Sequence, residues 1–458
     1  MIIHTIRMRY YLFFINFFFL VLTVSCSVDV KKVPPPVSLP ETFSTTGSIA
    51  LTEKWWQVFN DKELDYLVDQ ALSNNFSLQS AYDRVEQARA IAKKSGASLV
   101  PTLDATFTSS HSITDGLSTD NFSLGLIASY EVDLWGRIRA SLHASELDFH
   151  AAKEDLQTIA ISLSAEIANN WYRLIEQRQQ LALLGQQIET NQKHTEILML
   201  RFRVSQATAA DVFQQQQLLE SIKGDKTSVV ATIHVLEHQL AVLLGKTPTT
   251  LNIPKASQFP VIPPLPQTGL ISDLIQRRPD LRKAYFEVQA ADQRIAAAIA
   301  DRFPKLSLSA GIDTSDPNLQ SLFNNWLATL AGNLILPIID GHRRVAEVEY
   351  NQARAKATLN NYATTLLVAV QEIENALIQQ QQQQKLVESL ARQVHLSQQA
   401  NQQIRLRYMN GAESFLRVLS SALSQQGLER SQLNTQRQLI EYHIALYRAL
   451  SGAFPLKS

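Results

Sequence analysis

Two stretches of this chain have helical lengths that no compact domain can cover. From Arg137 to about Arg203 there is no proline and a single glycine, Gly185, and from His342 to about Met409 there is neither. Proline and glycine are the residues that break helices. Each stretch therefore predicts an unbroken helix of roughly 67 residues, about 100 Å long at a rise of ~1.5 Å per residue. Helices of that length must pack lengthwise against one another. Heptad spacing agrees: Ile222, Val229, Leu236 and Leu243 fall seven apart in the helix expected after Asp211, with Ile233 and Leu240 on a neighbouring seam. Ile167, Leu174, Leu181 and Ile188 do the same in the preceding helix. An apolar residue at every seventh position specifies coiled-coil packing.

The chain is also duplicated. Leu78, Ala81, Tyr82, Val85, Ala88, Pro101 and Leu103 recur 203 residues later as Leu281, Ala284, Tyr285, Val288, Ala291, Pro304 and Leu306. Gly136 then matches Gly341, Arg201-Phe202 matches Arg407-Tyr408, and Val212 matches Val418. Each half reads as a helix, two strands and two long helices. The repeats span 55–245 and 269–452, joined by a linker over 246–268 that holds six of the 16 prolines, with a tail at 453–458. Another Pro-rich run, Val33–Pro40, lies in an N-terminal segment, 26–54, that should run extended.

The strands alternate. Leu103, Ala105 and Phe107 are interleaved with Thr102, Asp104, Thr106 and Thr108, while Phe122, Leu124, Leu126, Ala128, Tyr130 and Val132 are interleaved with Ser123, Gly125, Ser129 and Glu131. Leu306, Leu308, Ala310 and Ile312 repeat the pattern, and Trp326–Leu336 follows it less cleanly. A two-residue period over about ten residues, with aromatics near the ends, fits a membrane-spanning β-strand. Four strands cannot close a barrel, and open edges are not tolerated in lipid. The chain must pool strands with copies of itself; two copies give eight strands and three give twelve.

The first 25 residues read as a secretory signal: Arg7 and Arg9 precede an apolar core, Tyr10–Val24, too short to span a bilayer. Cys26, the only cysteine, follows that core, so no disulfide framework is possible. Leu22-Thr23-Val24-Ser25-Cys26 resembles a bacterial lipobox, in which the cysteine is acylated and becomes the mature N-terminus. Thr23 stands where leucine is usual. Ser27, rather than aspartate, implies the outer membrane by the same resemblance. Lys+Arg 42 against Asp+Glu 42 gives no basic face for nucleic acid.

Enzyme signatures are weak. His234-Val235-Leu236-Glu237-His238 has zinc-ligand spacing, but it lies on a heptad helix with no third ligand nearby. Gly245-Lys246-Thr247 lacks the first glycine and the strand of a phosphate loop. We expect no enzyme, no cofactor and no resident metal.

Several motifs in fixed order carry a family resemblance. They are Trp55-Trp56 with Phe59 and Asp61, Tyr130-Glu131-Val132-Asp133-Leu134-Trp135-Gly136-Arg137, Leu243-Leu244-Gly245-Lys246, and Arg277-Arg278-Pro279-Asp280-Leu281. Phe303-Pro304-Lys305-Leu306-Ser307-Leu308, Pro337-Ile338-Ile339-Asp340-Gly341, Glu372-Ile373-Glu374-Asn375-Ala376-Leu377 and Ala445-Leu446-Tyr447-Arg448-Ala449-Leu450 complete them. This set resembles the TolC-type outer-membrane factors, nearest their NodT-like lipoprotein branch. The resemblance implies a mixed α and β membrane protein. In a homotrimer, each chain would give four strands to an outer-membrane β-barrel and long coiled-coil helices to a periplasmic α-barrel. It further implies a passive exit duct for small molecules, with a periplasmic adaptor and an inner-membrane pump of the RND type as partners and outer-membrane lipid around it. A duct for type I protein secretion uses the same fold, and a coiled-coil surface adhesin is a third reading that the alternating strands disfavour.

By the same resemblance the two hairpin turns are the periplasmic entrance and adaptor contact: Arg201, Arg203, Val204 and Ser205 in one, Arg405, Arg407, Asn410 and Gly411 in the other. Gly411 suits a turn needing positive φ, whereas Ser205 stands where the family has glycine. The arginines form either a basic rim or internal pairs such as Arg201 with Asp211 and Arg407 with Glu413. The gate residues would be Asp211, Tyr408, Glu413, Arg417 and Ser420. Here the chain departs from the family: Arg417-Val418-Leu419-Ser420-Ser421-Ala422 replaces an acidic stretch, so Arg417 either faces the pore or pairs with Asp211.

Overall fold

A computed structural model describes residues 37–50, 52–248, 253, 254, 258–452, 454 and 456. The signal segment, Cys26 and the start of the Pro-rich run at Val33–Pro40 lie outside the described residues. A short 3-10 helix at Trp55–Phe59 precedes α1 (Lys62–Asn74), α2 (Phe76–Ala97), β1 (Thr102–Thr114), β2 (Leu117–Val132), α3 (Arg137–Arg203) and α4 (Ala209–Leu243). The second half supplies α5 (Ile271–Arg277), α6 (Pro279–Ala300), β3 (Lys305–Asp316), β4 (Trp326–Ile335), α7 (Arg343–Met409) and α8 (Phe415–Leu450). The repeat shows in the lengths: α2 and α6 have 22 residues each, and α3 and α7 have 67 each.

Both long helices start the same way. Their N-cap residues are left-handed, Gly136 at φ 75° and His342 at φ 66°. The sequence match of Gly136 with Gly341 is therefore off by one residue, because the second elbow absorbs an extra left-handed residue before the helix begins. A carboxylate then satisfies free N–H groups at each start. Asp133 accepts from the backbone of Ile138 and Arg139 at 3.0 and 2.9 Å, and Asp340 from the backbone and guanidinium of Arg344 at 3.3 and 2.9 Å. Negative charge at a helix N-terminus is stabilising. Burial alone would raise the Asp133 pKa, but those N–H groups and the Arg139 guanidinium outweigh it and hold it below the usual carboxylate range.

The four strands form one antiparallel sheet in the order β1-β2-β3-β4. Its register sets Phe107 against Leu124, Leu126 against Ile312, and Ala310 against Leu330, so one face is apolar across all four strands. The other face carries rows such as Thr106, Gly125 and Asp313. Register places Trp326, Leu330 and Leu334 of the untidy fourth strand on the apolar face against Thr314, Ala310 and Leu306, and leaves Leu327 and Ile335 on the other face opposite Asp313 and Lys305. Every residue of β1 and β4 is exposed in the single chain, Leu330 to 85%. Asp115 and Gly116 turn β1 into β2 with φ of 51° and 80°, the positive pair that a tight hairpin needs. Among the described residues, no helix is long and apolar enough to cross a membrane.

Residues far apart in the chain meet at two levels of the helical body. Just beneath the sheet, Trp135 stacks on Phe303 at 4.9 Å and donates to the Pro304 carbonyl at 2.8 Å, while Arg344 reaches both Asp301 and Asp340 at 3.0 and 2.9 Å. Lower down, Arg278 holds Asp280 at 2.7 Å, Glu372 at 2.9 Å and the Ala449 carbonyl at 3.0 Å, and Arg448 shares Glu372 at 3.4 Å. Asp61 caps α1 and accepts from the Trp171 indole at 2.8 Å, and Trp55 donates to Ser164 at 3.0 Å. These two tryptophans enter the main core with Trp56, Phe59, Tyr172 and Tyr447. Leu244 joins the same core, so all eight sequence motifs place residues at these two levels.

His443 sits in that core, fully buried against Phe59 and Tyr447. Among the described residues neither ring nitrogen makes a well-formed hydrogen bond; the carbonyls of Pro263 and Pro264 lie near enough to favour the protonated ring. Burial pushes its pKa down from 6.5 to about 4, weakly opposed by the nearby carbonyls of Pro263 and Pro264. The unfolded chain takes up this proton first, so stability is complete above pH 6.5 and is lost as pH falls toward 4. The position equivalent to His443 in the first repeat is Leu236. His443→Leu should therefore flatten the acid limb of thermal stability between pH 6.5 and 4 in detergent. An unchanged acid slope would assign the loss to other groups.

Candidate functional site: the hairpin tips

The two helical hairpins, α3–α4 and α7–α8, end in turns built by the same hydrogen bonds. The Gln206 N–H reaches back to the Arg201 carbonyl at 2.8 Å and the Ser205 N–H to Phe202 at 3.0 Å. In the second hairpin the Ala412 N–H reaches Arg407 at 2.9 Å and the Gly411 N–H reaches Tyr408 at 3.0 Å. This paired closure requires a left-handed residue at its corner. Gly411 supplies it at φ 73°, and Ser205 adopts it at φ 61°. The serine leaves the turn intact and carries the strain of a Cβ in that region, roughly 1–2 kcal/mol.

The turns differ in how the following helix starts. Thr208 and Asp211 form a reciprocal capping box, with the Thr208 N–H on the Asp211 carboxylate at 2.9 Å and the Asp211 N–H on the Thr208 hydroxyl at 3.2 Å. Arg417 is the repeat mate of Asp211, so no such box can form in the second hairpin, and Ser414 makes no side-chain cap bond. Arg417 instead lies 3.8 Å from Glu413, which Arg407 also approaches at 3.9 Å. The pairing of Arg407 with Glu413 expected from sequence is present, and those of Arg201 and Arg417 with Asp211 are absent. Arg417 and Ser420 line a groove between α7 and α8 with Ser397, Ser421 and Ser424.

The hairpins meet each other at this level. Leu198, Val212 and Phe415 form a small core, with Tyr408, Val418 and Leu419 packed around it. The Arg201 guanidinium lies over the Tyr408 ring at 4.6 Å and its Nη1 lies 3.4 Å from the Met409 sulfur. Burial raises the Tyr408 pKa and Asp211 adds to this, while Arg201 lowers it. Arg405 donates to His194, a partner that sequence reasoning missed because no motif or heptad position marks it. Val204 and Met409 stand exposed on the turns, as do Asn410, which closes α7, and Arg203. The zinc-like triplet lies elsewhere: Glu237 is shared between His234 and Arg178, each at 3.2 Å.

An amphipathic four-strand sheet with two free edges, continued by lengthwise helices, defines a class: protomers of β-barrel channels with helical extensions. The chain belongs to the outer membrane efflux protein family, whose pattern matches residues 67–246 and 270–452, one match per repeat. It is 30% identical over 421 residues to the pyoverdine export outer membrane protein OpmQ of Pseudomonas aeruginosa, covering 88% of this chain and 87% of that protein. Its fold follows the solved structure of CusC with a TM-score of 0.83 at 26% identity, covering 93% of this chain and 99% of that one. The open state of the Neisseria gonorrhoeae MtrE outer membrane channel matches with a TM-score of 0.82 at 26% identity, covering 91% and 96%. The protein is thus an outer-membrane efflux channel that completes its barrels as a trimer, with the helical barrel in the periplasm.

The corner residues give a direct test of tip geometry. Gly411→Ala should weaken the second turn by about 1–2 kcal/mol, speeding hydrogen exchange at the Ala412 amide about 5–30-fold. Ser205→Gly should slow exchange at the Gln206 amide. Equal exchange in all three proteins would mean that these corners carry no strain.

Proposed function

We propose that this chain is the lipid-anchored exit duct of a tripartite efflux pump. Its tips meet a periplasmic adaptor, an RND-type pump in the inner membrane supplies the solute, and no bond chemistry takes place in the duct. The observation that carries the reading is the tip itself: two hairpins end in matching exposed turns, bearing Val204, Asn410 and the arginines, and are held together only by side chains. Such an end can be gripped and spread without unfolding the helices above it. OpmQ is a pyoverdine exporter by name and CusC a cation exporter. One duct architecture therefore serves unlike cargoes, and selection is left to the pump.

The entrance of this duct carries Arg417 and Ser420 in place of an acidic ring. Arg417 is 66% exposed, Glu413 is shared by two arginines, and Asp211 is engaged in its capping box. A ring of charged side chains sets which ions pass, and fields are focused in a narrow pore. In planar bilayers, the unmodified channel should show weak block by a trivalent cation added from the tip side. Arg417→Asp combined with Ser420→Asp should create strong block, tighter at low salt where screening is weaker. Strong block of the unmodified channel would place a different acidic set at the constriction.

Acylation of Cys26 is the second element of the proposal. Ser44 donates through its backbone N–H (2.9 Å) and its hydroxyl to Glu374, 31 residues into α7 and hence about 47 Å from the helix start near the sheet. The 18 residues from Cys26 to Ser44 would reach about 56 Å if extended. An acyl chain at Cys26 can therefore enter the same membrane as the barrel. Cys26→Ser should abolish acylation while trimers still assemble, as read by mass spectrometry of the mature N-terminus. An unacylated terminus at another residue in the natural protein would overturn it.

A further inference from the structure

The side-chain ties between α3 and α7 at the tip include one that tolerates only a neutral imidazole. Arg405 donates from Nη2 to Nε2 of His194. A guanidinium has no acceptor, so His194 must offer a lone pair at Nε2 and keep its single proton on Nδ1. A second proton would replace that bond with two opposed N–H groups and set one cation against another. We propose that His194 and Arg405 form an acid-sensitive latch, closed when His194 is neutral and released on its protonation, that lets α7 move away from α3.

The surroundings leave the charge no other outlet. On α3 itself, Lys193 pairs with Glu189 at 2.6 Å on the solvent side, and Glu196 acts on that lysine. From α4, Gln215 is bonded to Asn191 and Asp211 is held in the capping box. From α8, Phe415 and Leu419 pack around Leu198, and Glu429 is engaged by Gln187, Gln398 and Gln425. On α7, Tyr408 is covered by Arg201. Among the described residues, Arg405 is the one charged group acting on His194, and no carboxylate pairs with its ring. The first-repeat mate of Arg405 is Met199, and the second-repeat mate of His194 is Ala400, so the latch belongs to this pair of helices alone.

Burial first, and Arg405 second, push the His194 pKa from 6.5 down to about 4 in the latched state. A released, solvated His194 returns to about 6.5. Linkage then favours release by about tenfold per protomer at pH 5.5 relative to neutral pH, and about a thousandfold for three independent latches. Tyr408, its pKa raised by burial above 10, stays neutral throughout this range, so its ring keeps Arg201 and acid loosens the tip without dismantling it.

That release widens the pore rests on the reading of the tips as the channel entrance, and two readouts separate the two claims. The first is the α3–α7 separation in the full trimer, measured between spin labels at Ile197→Cys and Leu406→Cys from pH 7.5 to 5. The second is single-channel open probability in planar bilayers over the same range. The unmodified latch should show a wider separation and an open probability at least about tenfold higher in acid. His194→Gln, which keeps an acceptor for Arg405 but cannot titrate, should hold the neutral-pH separation throughout. His194→Lys should be wide at every pH. An acid-dependent separation that survives in His194→Gln, or no acid-dependent separation at all, overturns the latch. A separation that follows the latch while open probability stays constant keeps the latch and overturns the tip as the entrance.

Discussion

Everything in this protein follows from backbone hydrogen-bonding groups that one chain cannot satisfy. The outer edges of β1 and β4 present unpaired N–H and C=O groups along strands whose other face-to-face surfaces are also open. In lipid each such group costs several kcal/mol, and among the described residues no element of the same chain covers either edge. Copies of the chain must supply the partners, and the threefold barrel they form sets the spacing at which the helices descend. The helices inherit the same incompleteness. α4 and α7 lie on the flanks of their hairpins, where Phe213, Leu367, Ile378 and Leu396 remain exposed until a neighbour arrives.

How the sheet hands over to the helices explains why so many recognisable residues sit at two heights. A strand that leaves the membrane must turn into a helix without stranding the helix's first N–H groups. A carboxylate does this in both repeats, Asp133 for two N–H groups and Asp340 for one, and Trp135 wedges the first elbow against Phe303 and Pro304. Lower down, the chain passes between helices at Arg278-Pro279, and one guanidinium ties α6, α7 and the end of α8. Burial alone would lower the Arg278 pKa, but Asp280 and Glu372 overcome this and raise it further above its already high value. Removing either carboxylate would leave a buried cation poorly paired, the situation that makes buried ion pairs costly to break.

The legible and illegible parts of the sequence divide along physical lines. Helix lengths, strand alternation and duplication depend on local breakers and periods, so α3 and α7 follow from the sequence nearly residue for residue. The alternation marks all four strands but misses the outer ends of the first hairpin, where β1 runs on to Thr114 and β2 begins at Leu117 through polar residues on both faces. The apolar face of β4 becomes clear only through cross-strand register, which is a property of two strands. At the tips, Gly411 announces a left-handed corner, while Ser205 adopts one because the surrounding hydrogen bonds require it. His194 and the contact of Arg201 with Tyr408 are invisible in one dimension, because they depend on which faces α3 and α7 turn toward each other. Asp211 could have been placed from sequence: a threonine three residues before it is the mark of a capping box.

The repeat also fixes how the end of the barrel counts. Three chains with two hairpins each present six tips around one axis, close to sixfold in backbone because Ser205 and Gly411 make the same corner. They are threefold in chemistry, since Asp211 on one tip alternates with Arg417 on the next. If the tips are the adaptor seats proposed above, a partner meets seats of two kinds in strict alternation. Six copies of one protein can fill the rim only if each tolerates both kinds, and three copies leave every second seat for something else.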